Sequence, residues 1–408
     1  LDPFVQNLPI DTDAEASLED ENLQVAAVAT GLTLPTSMAF IEDMKVIVTE
    51  KNSGQVYLVP LDGKEKKKLL DMPVANGAEQ GLLGVAVADM SKIEGSESDK
   101  IYVFIYLTEI DENDILLGNM IYRYDWDAEN ETLVNPVLIT HLPADPGPVH
   151  NGGKLIVDDK GHLYTILGDL NRLGGPLQNQ SEGIIDDSSI IVRIDFDGNA
   201  VEDNPFYGHE NERLHRYFAY GIRNSFGHDI DPVTGTLWIT ENGREIYDEI
   251  NVVNPGFNSG WSKVMGPIER TEFTEDDLFF LEGAEYQDPV FSWRQPIGVT
   301  DIVFVDSDIL GEAYKNNILV GDINGGALYY FKVNESRTGV DLSDNPQLTE
   351  KVAETYEEGF LFRIGSFPGG ITDLEIGPEG FLYVLTFNGN IHVVVPADNS
   401  AALIAYRQ

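Results

Sequence analysis

The sequence predicts an all-β, six-bladed propeller, and three observations carry that prediction. A strand of the form apolar-aromatic-apolar, often followed by a polar turn and a second strand, recurs as KVIVTEKNSGQVYLV from Lys45, IYVFIYL from Ile101, HLYTILGD from His162, TLWITENG from Thr236, NILVGDINGGALYYFKV from Asn317 and FLYVLTFNGNIHVVV from Phe381. With Ile47, Tyr102, Leu163, Leu237, Leu319 and Tyr383 as equivalent points, the steps are 55, 61, 74, 82 and 64 residues. Such periods suit four-stranded blades of about 40–45 residues with inserted loops, closed around a channel. Second, Gly, Asn, Asp and Pro punctuate the chain between short apolar runs, while helical periodicity is scarce. Third, 42% of the 408 residues are hydrophobic, enough to bury a large core.

In chain order, Asp11 to Glu21 (DTDAEASLEDE) is acidic and poor in large apolar groups, so residues 1–22 read as a flexible arm. Residues 23–408 read as one propeller domain, with Ala402 to Tyr406 as a short last strand closing the ring. Lys64 to Lys68 (KEKKK) reads as a solvated hairpin tip. Asp195 to Asn199 (DFDGN) reads as a turn: it lacks the EF-hand glutamate, because the twelfth position is Phe206. The first residue is Leu1 with no basic-then-apolar leader, as in a mature or trimmed chain.

Charge narrows the function. The chain carries 26 basic and 69 acidic residues, a formal charge of −43. A surface this acidic repels phosphate backbones and anionic lipid, which argues against nucleic-acid and membrane partners and favours cations and neutral or cationic small molecules. With no cysteine, disulfides, thiolate nucleophiles and zinc–thiolate sites are excluded. No apolar run approaches the 18 or so residues of a membrane helix.

The most informative stretch is HNGGKLIVDDKGHLYTILGD, His150 to Asp169. Gly152 and Gly153 allow close backbone approach, and His150 enters a strand from a loop, a position that faces the funnel of a propeller. This stretch resembles the signature of the glucose/sorbosone dehydrogenases, six-bladed propellers that use pyrroloquinoline quinone (PQQ) and calcium. EQGLLGVAV from Glu79, RIDFDGNAVEDNPF from Arg193, YGIRNSFG from Tyr220 and TENGREIYDEINVVNPGFNSGW from Thr240 resemble the same family in the same order.

The resemblance implies an aldose dehydrogenase that oxidises the anomeric C1 hydroxyl, with His150 as base, Asp169 as its acidic partner and Arg223 polarising the quinone beside Asn224. It also implies calcium on the backbone carbonyls of Gly243 and Arg244, a structural calcium at Asp248 or Glu249, and Trp293 as the residue stacked on the cofactor. A secreted, extracellular or periplasm-like location follows from acidity and resemblance together.

The departures fall on the cofactor's carboxylates. Asn324 stands where the family has a lysine, Gly370 and Thr372 where it has arginines, and Glu79 where it has a glutamine. Arg172, Arg244 and Arg294 would supply replacement cations if their loops point inward. A second expectation follows, a calcium-binding propeller that has lost PQQ and serves as an extracellular binding or scaffold module. Base-assisted hydrolysis at a channel calcium is a third.

Overall fold

The computed structural model describes residues 15–172 and 174–399. Its strands pair into six sheets, and the chain forms an all-β propeller with a single short α-helix among the described residues, Tyr356–Gly359. The six repeated segments fall on the second strands of these sheets: Lys45–Glu50, Ile101–Ile110, His162–Leu167, Leu237–Glu241, Ile318–Asp322 and Leu382–Thr386. The sequence pattern is strongest there because these strands are walled in on both sides; Ile47, Leu163, Tyr383 and their neighbours are fully enclosed.

The first strands of the sheets, among them Pro35–Glu42, Leu82–Asp89, Val299–Phe304 and Ile371–Ile376, pack against one another around the axis. There Lys154, only 8% exposed, sets its Nζ 2.8 Å from Asp301 Oδ2 and also bonds Asp373 Oδ1, with Glu375 at 3.8 Å. Both aspartates have no exposed surface. The cluster therefore ties strands of three sheets together across the channel. Burial works against the lysine's charge, but Asp301, Asp373 and Glu375 raise Lys154 well above its ordinary value.

An N-terminal strand joins the last sheet. Leu23–Ala29 pairs antiparallel with Asn390–Pro396, from Leu23 opposite Pro396 to Ala29 opposite Ile391, and so supplies the outer strand of the last sheet. The strand expected at Ala402 to Tyr406 lies outside the described residues. The acidic arm is also docked earlier than Leu23. Ser17–Leu18 pairs with Ser366 and Gly365, Glu19 accepts from Arg363 Nε at 2.7 Å, and Asp20 accepts from the Tyr314 hydroxyl at 2.8 Å. An acidic stretch with few apolar groups is held by backbone pairing and specific polar partners, which composition does not encode. Asp195 to Asn199 is the expected turn, with Asp195 Oδ1 accepting from the Asp197 and Asn199 amides.

No described helix is long and apolar enough to cross a membrane.

Candidate active site

The candidate residues gather where the innermost strands begin. His150 precedes Leu155–Val157, Glu79 precedes Leu82–Asp89, and Arg223 and Asn224 precede Gly227–Ile230. Asp169 follows His162–Leu167 at the same end, and Gly243 follows Leu237–Glu241. His150 has φ +64° and Gly152 +60°, so the chain bends sharply as it enters the strand. A Cβ on Gly152 would lie 2.0 Å from the Ile166 carbonyl oxygen, so only glycine fits. Gly168 plays a similar part: a Cβ there would meet Arg223 O at 2.4 Å and His150 O at 2.7 Å. Glycine at that point brings histidine, aspartate and arginine together.

His150 Nδ1 lies 2.5 Å from Asp169 Oδ1, with both side chains nearly enclosed at 8% and 2% exposure. The carboxylate is fully engaged. Oδ1 also accepts from the Asn171 amide at 2.7 Å, and Oδ2 accepts from Trp261 Nε1 at 2.8 Å. An acceptor this well held fixes the imidazole with its proton on Nδ1, so that Nε2 presents a lone pair. Glu79 Oε2 accepts from the His150 backbone amide at 2.5 Å and lies 3.4 Å from Asn224 Nδ2. Burial pushes Glu79 up, against the pull of His150 and Arg223, and pulls Lys51, beside it, down.

Arg223 is 6% exposed, with its guanidinium carbon 5.4 Å from the centre of the Trp261 ring. Its Nη1 donates to the carbonyls of Asn242 at 2.9 Å and Gly243 at 2.8 Å. Arg223 Nε and Asn224 Oδ1 are enclosed without a partner among the described residues. Two orphaned polar atoms beside the dyad are what a site for a polar ligand shows.

The resemblance implies a cofactor calcium on Gly243 and Arg244. In the structure the carbonyls of Asn242 and Gly243 converge on one cationic nitrogen, and Arg244 is exposed with no ion pair among the described residues. Asp248 has its carboxylate engaged by backbone: it accepts from the amides of Gly243, Ile297, Gly298 and Val299 and holds two loops. Glu249 faces Glu241 instead. Asn251 Nδ2 donates to both, at 3.1 and 3.3 Å, and Ser259 Oγ donates to Glu241 at 2.6 Å. Burial raises both carboxyls, Glu241 to about 7 with Asp169 adding to the rise, and Glu241 raises Glu249 further. Asn251 Oδ1 is buried without a partner among the described residues. Two carboxylates and an amide oxygen are donors of the hard-oxygen type that calcium takes.

Trp293 is packed into the core. It is 1% exposed inside an aromatic cluster with Phe291, Tyr329 and Phe331, ring centroids 4.8, 5.5 and 5.6 Å away. The tryptophan at the site is Trp261, within the motif GFNSGW, which sequence reasoning quoted without giving its tryptophan a role. At the carboxylate end the three cations are absent in space as in sequence. Asn324 packs beside Gly298, where a Cβ would lie 2.7 Å from its Nδ2; Gly370 has φ +82°; and Thr372 Oγ1 donates to the Leu385 carbonyl. Arg172 bonds Asp186, and Arg294 bonds Glu354. The residues therefore fit PQQ at its reacting end, through His150, Arg223 and Asn224, with Lys51 the remaining cation close to Glu79.

A cavity of about 180 Å³ lined by Asp158, His162, Tyr164, Arg193 and Phe218 lies at the opposite end of the His162–Leu167 strand and contains none of these residues.

Fold and site together define an all-β propeller that carries a histidine–aspartate dyad and a buried arginine where its inner strands begin. The chain belongs to the Glucose / Sorbosone dehydrogenase family, which it matches over residues 32–394. It is 28% identical over 237 residues to the aldose sugar dehydrogenase YliI of Escherichia coli, covering 58% of this chain and 57% of that protein. It is 26% identical over 280 residues to quinoprotein glucose dehydrogenase B of Acinetobacter calcoaceticus, covering 64% and 56%. The matches thus span little more than half the length of either relative. In three dimensions, the soluble aldose sugar dehydrogenase of Escherichia coli in its apo-form superposes with TM-score 0.69 at 24% identity, over 92% of this chain and 99% of that one. The PQQ-bound aldose sugar dehydrogenase of Streptomyces coelicolor gives 0.66 at 22%, over 91% and 98%. Both share the fold.

Proposed function

We propose that this protein is a calcium- and PQQ-dependent aldose dehydrogenase built on six blades, one for each sheet, and working outside the cytoplasm on a neutral sugar. The observation that carries this reading is the His150–Asp169 pair, held by Trp261 and opening beside the unpartnered atoms of Arg223 and Asn224. PQQ, when bound, supplies the hydride acceptor. The chain's residues handle the proton and the orientation. His150 Nε2 takes the proton from the C1 hydroxyl, and Asp169 stabilises the imidazolium that results. Trp261 and the Asn171 amide keep that carboxylate aimed at Nδ1. Arg223 presents a hydrogen-bond donor beside the dyad for a quinone oxygen, Asn224 presents its free Oδ1 as an acceptor for a ligand hydroxyl, and Glu79 fixes the His150 backbone. We place one calcium at the carbonyls of Gly243 and Arg244 and a structural one at Glu249 with Glu241.

The test is reconstitution: purified protein is titrated with PQQ at millimolar calcium while quinone absorbance and dye reduction are followed with several aldoses. Saturable binding with aldose-dependent reduction is expected. Failure to bind at any concentration would sink the dehydrogenase reading and leave a propeller that has lost its quinone.

A further inference from the structure

The stretch RIDFDGNAVEDNPF gives the dyad no partner; its Arg193 and Asp203 line the cavity of about 180 Å³ between the third and fourth sheets instead. Tyr164 stands directly opposite Arg193 in the strand pair. Phe218 packs edge-on against Tyr164, ring centroids 5.5 Å apart, and its ring centre lies 5.4 Å from the Arg193 guanidinium carbon. Ile230, Leu237 and Val253 of the fourth sheet form an apolar wall of the same cavity. Arg193 is 6% exposed; its Nη2 meets Asp203 Oδ1, while Nε is enclosed without a partner among the described residues. Asp158 fixes a second polar group. Its Oδ1 accepts from the Lys160 and His162 amides at 3.0 and 2.8 Å, and its Oδ2 lies 2.8 Å from His162 Nδ1. A carboxylate anchored in this way keeps the ring proton on Nδ1, so His162 Nε2 carries a lone pair that has no partner among the described residues.

A buried N–H donor and a ring acceptor in a cavity with an apolar wall call for a ligand that both accepts and donates hydrogen bonds, as a hydroxyl does. Asp158, Asp159 and Asp203 outnumber Arg193 and Lys160 around the cavity, which disfavours an anion. At about 30 Å³ per water the space takes about six waters, the room of one small ring rather than of a drug-sized ligand. We propose that this cavity is a second, non-catalytic binding site for a neutral polyhydroxyl molecule of the size of one sugar ring. One hydroxyl oxygen accepts from Arg193 Nε, another hydroxyl donates to His162 Nε2, and the C–H face of the ring lies on Ile230, Leu237 and Val253. The six residues of His162–Leu167, at about 3.3 Å each, set this site about 20 Å from the dyad, so both can be occupied at once. The inference needs neither PQQ nor calcium and stands apart from the dehydrogenase reading.

The test titrates the full chain, without PQQ or metal, with methyl α-glucopyranoside, a neutral sugar ring whose capped C1 oxygen offers His150 no proton. Calorimetry reads the affinity, and the proton NMR signals of the imidazole rings, assigned with His162→Gln, report where the sugar binds. The expected result is saturable binding that shifts the His162 signals, persists in His150→Ala and is about tenfold weaker in Arg193→Met, which removes the donor and leaves only the exposed Asp203 without its partner. The corresponding glucuronate glycoside, the same ring with a carboxylate, binds more weakly than the neutral one. No binding by the parent, an affinity unchanged in Arg193→Met, tighter binding of the glucuronate, or shifts confined to His150 overturns the inference. Crystals of the parent soaked in the glycoside give a check that needs no variant: a sugar ring within hydrogen-bond reach of Arg193 Nε supports the inference, and a cavity holding water alone refutes it.

Discussion

Replacing Asp169 with asparagine keeps the size of the side chain and removes an acceptor that three donors share. In the native site Oδ1 accepts from His150 Nδ1 and the Asn171 amide, and Oδ2 accepts from Trp261 Nε1. An amide has one oxygen. If it faces His150, its NH2 group meets the Trp261 N–H, and two buried donors are left unpaired at about 1–3 kcal/mol each. If it flips, the NH2 group faces Nδ1, and the imidazole must carry its proton on Nε2, the atom that has to act as base. The first arrangement costs about 2–6 kcal/mol of stability, and the second, which turns the NH2 group onto the Asn171 amide, removes proton abstraction, an effect of about 10²–10⁴ in rate. Dye-linked turnover of an aldose with added PQQ and calcium, beside thermal melting of the same preparation, measures both. Turnover in Asp169→Asn above about a tenth of the parent's would refute the argument that this carboxylate sets the histidine's tautomer.

Three further outcomes follow from the structure. His150→Ala abolishes turnover but leaves the PQQ absorbance titration nearly unchanged; surviving activity would show that another group is the base. Glu241 holds its proton from its ordinary 4.5 up to about pH 7 in the folded protein, whereas the unfolded chain releases it above 4.5, so in chelator the melting temperature falls as pH rises through that window. Glu241→Gln flattens that fall, and identical slopes in both proteins would contradict it. Lys154→Met strands Asp301 and Asp373 without their cation and costs about 3–5 kcal/mol, read as a lower urea midpoint; an unchanged midpoint would count against the axial ion cluster as a tie between sheets.

The parts of the molecule legible in sequence are those whose pattern is local. The six inner-blade strands announce themselves by enclosed apolar runs, and His150 and Asp169 stand at the two ends of one hairpin, so their meeting follows from a short stretch of chain. Trp261 and Trp293 show the opposite case. Each is a tryptophan near a strand end, and which one reaches the dyad depends on how the loops from 242–247 and 259–266 fold over the third and fourth sheets. Asp248 is similar: nothing in an acidic side chain beside Glu249 announces the four amides from two separate loops that engage its oxygens. The docking of Ser17–Leu18 was equally out of reach, because its partner strand lies more than three hundred residues further on.

The pairing of Leu23–Ala29 with Asn390–Pro396 makes the molecule a circle in all but covalent structure. Until the last of these residues has left the ribosome, the final sheet lacks strands and the first sheet has no neighbour on one side, so a shortened chain presents open edges to other chains. The two ends of the ring meet in one sheet. A permuted gene that joins them through a short linker and opens the chain at an exposed turn, such as the one after Pro60, should therefore fold to the same propeller with its seam moved to another blade.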